Sequence, residues 1–203
     1  MSGSITLENR FGVNKMELIS LKYAIFVIVL LVLYYCFPKK YRWYVLLAGS
    51  MAYYVIICKW YVLFIIFTIC TTYGSTIWID KLLKKQNAIV KSHKEDWDRQ
   101  TRKDYKEKGR KKRVAVMLFA LLCNFGILAF LKYIPYAGEL GLLLPLGISF
   151  YTFQSMGYVM DVYREIVEPE KNFLKVALFV SFFPQIIQGP IAIYDKLAGQ
   201  LYE

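Results

Sequence analysis

Histidine is almost absent from this sequence: its 203 residues contain one, His93, within the charged stretch KSHKEDWD. The sequence also lacks the phosphate-binding loop G-x-x-x-x-G-K-[ST], the nucleophile elbow G-x-S-x-G and the zinc motif H-E-x-x-H. A catalytic histidine needs partners in a water-poor site, and the neighbours of His93 are charged, so we expect an ordinary solvent-exposed side chain. The motifs that would identify a nucleotide-binding protein, a serine hydrolase or a zinc protease are therefore missing.

Cysteine is scarce as well. The four cysteines lie in apolar segments, at Cys36, Cys58, Cys70 and Cys123. They form no C-x-x-C pair and have no histidine beside them. We therefore expect small buried apolar side chains rather than a disulfide or a metal site.

Acidic residues are outnumbered, with 15 Asp and Glu against 26 Lys and Arg, which leaves a net charge of +11. The segment 80–113 alone holds 14 basic and six acidic residues, a local excess of eight, and Lys39, Lys40 and Arg42 form a second basic cluster. The positive-inside rule places both clusters on the cytoplasmic side, and counting spans back places the N-terminus outside. The interspersed acids favour a solvated charged helix or loop over nucleic-acid binding, and such a segment can contact anionic lipid headgroups.

Apolar residues dominate the composition, at 57% hydrophobic and 17% aromatic with a mean hydropathy of +0.38. Six apolar runs cover residues 18–37, 43–58, 60–79, 114–131, 142–160 and 173–191. They predict an all-α integral membrane protein with about five to six transmembrane or re-entrant helices. We expect residues 1–203 to form part of one membrane domain, with 80–113 as a basic cytoplasmic loop.

One helical stripe in the fifth run is polar. Its members are Tyr151, Gln154, Tyr158 and Asp161. Their 3-4-3 spacing places them on one face, opposite Phe150 and Phe153. This face either bonds to neighbouring helices or lines a cavity shared with Gln185 and Gln188. At the membrane edge, an ion pair between Asp161 and Arg164 is expected.

The sixth run is broken by proline. It reads FFPQIIQGP over residues 182–190, with Pro184 and Gly189-Pro190 as helix breakers. Freed carbonyls and the amides of Gln185 and Gln188 would then lie at membrane depth. This pattern predicts either a kinked structural helix or irregular backbone that lines water.

Two segments carry a family resemblance. PLGISFYTFQSMGYVMDVYRE (145–165) and NFLKVALFVSFFPQIIQGPI (172–191) strongly resemble the membrane-bound O-acyltransferase (MBOAT) family, in its bacterial alginate O-acetyltransferase-like branch. The upstream segments FPKKYRWYVLLAGSMAYYVIICKW and VMLFALLCNFGILAFLKY fit the same branch, so the resemblance extends from residue 18 to about 200.

The resemblance implies a multi-pass protein of the bacterial cytoplasmic membrane. Such an enzyme moves an acyl group, acetyl in this branch, from acetyl-CoA or an acyl carrier to hydroxyls of a cell-envelope polysaccharide. An extracytoplasmic acetyltransferase partner protein is also implied. Residues that would line or support the substrate tunnel are Ser149, Tyr151, Gln154, Tyr158, Asp161, Gln185 and Gln188.

The sequence departs from the family in one respect. Family members are longer, and their catalytic histidine follows the FPQ…GPI element, where this sequence has none. We therefore expect the N-terminal part of an acyltransferase that is inactive alone, either truncated or completed by a second polypeptide. The alternatives are a non-catalytic membrane subunit or remnant, and a transporter-like protein whose broken helices mark a substrate path.

Overall fold

The computed structural model describes residues 21–58, 62–93, 97–133, 147–184 and 194–202. Within these ranges the chain forms α-helices, one short 3₁₀ turn at Lys39–Tyr41 and no strand. The helices are α1 (Leu21–Cys36), α2 (Arg42–Cys58), α3 (Val62–Ser92), α4 (Arg99–Tyr133), α5 (Ile148–Tyr163), α6 (Phe173–Ser181) and α7 (Tyr194–Tyr202). The predicted fold class, an all-α membrane protein, is confirmed.

Two of these helices, α3 and α4, are long and apolar enough to cross a membrane. They have 31 and 35 residues, whereas a bilayer core needs about 20 residues at a rise of 1.5 Å each. Each contains one apolar stretch and continues as a charged helix beyond it. The shorter apolar helix α1 is exposed along much of its length.

The helices α3 and α4 form an antiparallel hairpin. Near one end, Asn124 Nδ2 donates to Thr71 Oγ1 at 2.9 Å, and near the other, Gln86 Nε2 donates to the Lys106 carbonyl at 2.8 Å. The described residues of the basic segment 80–113 are mostly helical, as parts of α3 and α4. Its Lys, Arg, Gln and Glu residues are good helix formers, and pairs such as Glu107 with Lys111 add i,i+4 support.

The core lies where α5 and α6 pack against the hairpin. The short helix α6 is apolar and buried from Val176 through Ser181, so it is enclosed by its neighbours α2, α3, α5 and α7. Helix α5 buries one face against α3 and α4. The structure thus places the described parts of the two segments that carry the resemblance, 147–165 and 172–184, at the centre of the described bundle.

Helix α6 ends earlier than the apolar run suggested. Asn172 caps its start, with Oδ1 accepting from the Leu174 N–H at 3.0 Å. The helix stops at Ser181, and Phe182 is extended, with φ −62° and ψ 97°. The prediction that the helix is broken at Pro184 is thus confirmed. The helix ends before Pro184 is reached, because in a continuous helix the proline ring would clash with a carbonyl of the preceding turn.

The outer surface is apolar. Exposed side chains such as Ile28, Phe119 and Leu122 project from α1 and α4, as lipid-facing residues do. The expectation of buried cysteines is wrong for Cys36 and Cys70, which are exposed. The apolar runs do not distinguish a protein-covered face from a lipid-covered one, because a small apolar thiol is compatible with both. Cys123 is half-buried, and the side chain of Cys58 lies outside the described part of the structure.

Candidate functional site

The polar stripe of α5 faces the bundle interior. Tyr151, Gln154 and Tyr158 are 1, 3 and 1% exposed, whereas Phe153 on the other side is 47% exposed. The prediction that these polar residues share a protein-facing side is therefore confirmed for three of them. Asp161 is half-buried.

Gln154 joins α5 to the break in α6. Its Nε2 donates to the Phe179 carbonyl at 2.9 Å. Because α6 stops at Ser181, its last four carbonyls lose their partners within the helix, and Phe179 belongs to this group. The amide thus satisfies a carbonyl that the break releases, which favours direct bonding between helices for this residue. Gln185 and Gln188, the other two glutamines expected here, lie outside the described residues.

Tyr158 on α5 binds the segment that connects α5 to α6. Its hydroxyl accepts a hydrogen bond from the Glu170 N–H at 2.8 Å. The Tyr194 ring from α7 stacks on Tyr158 with centroids 4.3 Å apart, and its hydroxyl donates to Glu170 Oε2 at 3.3 Å. Burial raises the pKa of the Tyr194 hydroxyl above its ordinary value, which favours its role as a hydrogen-bond donor. Lys175 Nζ lies 3.8 Å from the same carboxylate oxygen.

Two buried hydroxyl groups have hydrogen-bonding capacity that the described residues leave unused. Thr72 Oγ1 on α3 and Ser50 Oγ on α2 are fully buried and have no hydrogen-bond partner among the described residues. Buried hydroxyls are normally paired, so water, a substrate group or another part of the protein is expected to reach them. Ser149, also a candidate lining residue, is half-buried at the start of α5.

A second polar cluster lies at the boundary between the apolar and the charged parts of the hairpin. Arg113 is 9% exposed; its Nη1 donates to Gln86 Oε1 at 3.1 Å, and its Nη2 lies 3.7 Å from Glu165 Oε1. Gly109 makes room for the Gln86 amide, since a Cβ there would lie 2.5 Å from its oxygen. Sequence reasoning missed this cluster; the sequence shows only an arginine directly before the apolar stretch and a glycine inside a basic segment, and neither names its partner.

The end of α5 brings Glu165 to Arg113. Ile166 N–H donates to the Asp161 carbonyl at 3.0 Å and Glu165 N–H donates to the Val162 carbonyl at 3.1 Å, which is a Schellman cap. Glu165 occupies the left-handed position with φ 61°, where glycine is usual. The expected ion pair of Asp161 with Arg164 is not present among the described residues; the adjacent Glu165 pairs with Arg113 instead.

His93 is exposed at the end of α3, as expected, and stacks on Trp97 with ring centroids 4.8 Å apart. Its Nδ1 lies near the Ser92 hydroxyl and the Ile89 carbonyl, at 3.0 and 3.2 Å. No carboxylate is recorded against the ring in the part of the chain that the structure describes. Neither the burial nor the partners of a catalytic base are found at this position.

Comparison with known proteins identifies relatives. No family model and no solved structure matches the chain. A probable alginate O-acetylase of Pseudomonas syringae is 47% identical over 29% of this chain and 11% of its own length. One from Pseudomonas putida is 37% identical over 41% of this chain and 16% of its own length. A peptidoglycan O-acetyltransferase of Helicobacter pylori is 32% identical over 41% of this chain and 23% of its own length.

The chain therefore spans less than a quarter of the length of each of these curated relatives in the aligned stretches. They are named for O-acetylation of two different polysaccharides. The resemblance to membrane-bound O-acyltransferases inferred from the sequence is confirmed over these partial stretches.

Proposed function

We propose that this chain is the N-terminal part of a membrane-bound O-acyltransferase that transfers an acetyl group to hydroxyls of a cell-envelope polysaccharide. The observation that carries the proposal is the similarity to alginate and peptidoglycan O-acetylases. Their acceptors differ, but the reaction they are named for is shared. The helical, membrane-type bundle is compatible with the same class of protein.

In this proposal the described helices hold and orient the substrates. The buried face of α5, with Gln154 and Tyr158, and the unpaired hydroxyls Ser50 and Thr72 support a polar path beside α6. Ser149, Tyr151, Asp161, Gln185 and Gln188 are proposed to line or support this path. Amide and hydroxyl groups can bind an acceptor sugar or an acyl carbonyl, because both are hydrogen-bonding partners.

The chemistry of acyl transfer needs more than these groups. The acceptor hydroxyl must lose its proton as it attacks the acyl carbonyl, and a positioned base normally takes it. His93, the one histidine of the sequence, is exposed in the charged part of the hairpin. Tyr194 would have to lose its own proton before it could accept one, and burial raises its pKa further above the ordinary value. We propose that the base lies outside these 203 residues, so that they are inactive alone.

The proposal extends to donor, location and partner. Acetyl-CoA or an acyl carrier would be used on the cytoplasmic side, where the positive-inside rule places segment 80–113. The protein would be multi-pass in the bacterial cytoplasmic membrane and would act with an extracytoplasmic acetyltransferase. These parts of the proposal are based on the family resemblance.

The test is an assay of acetyl transfer in isolated membranes. Membranes from cells with the intact gene, and from cells lacking the coding region of residues 1–203, are incubated with radiolabelled acetyl-CoA and envelope polysaccharide. We expect alkali-labile label on the polysaccharide only with the intact gene, and restoration when the gene is returned. Equal incorporation in both membranes would overturn the proposal.

A further inference from the structure

A cleft of about 440 Å³ opens beside the charged half of the hairpin, between α3, α4 and the end of α5. We call it the hairpin cleft. Four of its lining residues are basic, namely Lys103, Lys106, Arg110 and Arg113, and two are acidic, Glu107 and Glu165. From these observations we propose that the hairpin cleft binds an anionic phosphate group at the depth of lipid headgroups.

The positive charge of the cleft is only partly neutralised. Glu107 pairs with Lys111, outside the cleft, at 3.4 Å, and Glu165 lies 3.7 Å from Arg113. Lys103, Lys106 and Arg110 make no recorded ion pair with other described residues. The cleft therefore presents cationic side chains whose charge needs a counterion.

Arg113 forms the inner end of the cleft. It is 9% exposed, and its Nε is buried without a hydrogen-bond partner among the described residues. Gln86 Oε1 accepts from Nη1, and Glu165 Oε1 lies 3.7 Å from Nη2, so both neighbours orient the guanidinium. A guanidinium carries five N–H groups, so one positioned in this way can still donate to a phosphate oxygen, and arginine binds phosphate through several directed hydrogen bonds.

The position of the cleft relative to the membrane indicates which ligand it binds. Arg113 directly precedes the apolar stretch 114–131, and Lys106 lies two helical turns further out. At 1.5 Å per residue these two residues are separated by about 10 Å along the axis, and the headgroup layer is roughly 5–8 Å thick on each side. The cationic lining thus extends through the layer in which phospholipid phosphates lie.

A structural role alone does not account for the whole arrangement. The contacts of Arg113 with Gln86 and Glu165 would be enough to hold α3, α4 and α5 together. Lys106 contributes to this packing through its backbone carbonyl, which a side-chain substitution retains, whereas the side chains of Lys106 and Arg110 are exposed and form no ion pair with the described residues. Their side chains can therefore be changed without disturbing the packed cluster, which separates the ligand site from the structural role.

The experiment compares two double variants of the detergent-solubilised full chain. Lys106→Gln with Arg110→Gln removes two charges inside the cleft. Lys108→Gln with Lys112→Gln removes two charges from exposed positions of the same helix outside it. Glutamine keeps a high helix propensity in both. Binding is measured by calorimetric titration with dioctanoyl phosphatidylglycerol, dioctanoyl phosphatidylcholine and inorganic phosphate.

We expect saturable binding of phosphatidylglycerol that weakens about tenfold in the cleft variant and little in the control variant. Cleft-dependent binding of inorganic phosphate as well would identify the phosphate group itself as the ligand, whereas binding of the lipid alone would identify a headgroup. Equal weakening in both variants, equal affinity for phosphatidylcholine, or no saturable binding of phosphatidylglycerol and phosphate would overturn the proposal.

Discussion

Gln154 shows how one buried side chain connects two features that the sequence presents separately. The polar stripe of α5 and the proline-broken sixth run were each recognisable from spacing and composition. The structure adds the reason that they occur together: the break in α6 frees the Phe179 carbonyl, and Gln154 donates to it. A buried amide and a broken helix therefore satisfy each other.

Replacing Gln154 with leucine removes this donor and leaves the carbonyl buried without it. We expect Gln154→Leu to lower the free energy of unfolding by about 1 kcal/mol, the scale of hydrogen bonds between membrane helices. The apparent midpoint of thermal unfolding in detergent, followed by tryptophan fluorescence, measures the change. Phe153→Leu, one residue away and 47% exposed, is the control and should change little. A Gln154→Leu midpoint equal to that of the control contradicts the assignment.

Gly109 gives a second prediction, for the cluster around Arg113. A methyl group at this position would displace the Gln86 amide from its bonds to the Lys106 carbonyl and to Arg113. These losses outweigh the gain of about 0.5–1 kcal/mol that alanine usually brings to a helix. We expect a net loss of about 1 kcal/mol in the same unfolding measurement.

Gly126→Ala is the matched change on the same helix, because a Cβ there meets no atom within 4 Å. It should leave stability unchanged or raise it. If Gly109→Ala is as stable as Gly126→Ala, the Gln86 contacts do not stabilise the hairpin.

Among the elements, the apolar helices were the most predictable part. The runs at 18–37, 43–58 and 114–131 correspond closely to α1, α2 and the apolar part of α4. The charged continuation of the hairpin could be a helix or a loop from its sequence, because membrane periodicity ends where the charges begin. Its helical state depends on the pairing of α3 with α4 through residues such as Gln86 and Gly109, which no local pattern reveals.

The contact of Arg113 with Glu165 was unpredictable for a similar reason. It joins residues far apart in the chain, and it depends on the left-handed conformation of Glu165 at the end of α5. A glutamate gives no signal for that conformation, whereas a glycine would have done so. The local sequence suggested Asp161 and Arg164 instead, because they are neighbours on a helix.

The orientation of the hairpin remains a prediction that can be tested at the level of this element. Ser92 is exposed at the end of α3, in the basic segment that the positive-inside rule places in the cytoplasm. In a variant without native cysteines, Ser92→Cys should resist a membrane-impermeant thiol reagent in intact cells and react after permeabilisation. Labelling in intact cells at the rate seen after permeabilisation would reverse the assigned orientation.

At the scale of the whole molecule, fold and function rest on different observations. The helical bundle shows how α5 and α6 are held at the centre of the described chain. The proposed acetyl transfer rests on relatives that the chain matches over at most 41% of its own length in the examples above. The described residues supply hydrogen-bonding groups, but neither His93 nor Tyr194 meets the requirements of a base.

The most direct test of the account is the ester-bound acetate of the cell-envelope polysaccharide. It is released by mild alkali and quantified in cells with the intact gene, in cells lacking the coding region of residues 1–203, and in deleted cells to which the intact gene is returned. The account predicts loss of ester-bound acetate on deletion and its recovery with the intact gene. Unchanged acetate after deletion would contradict the assignment to polysaccharide O-acetylation.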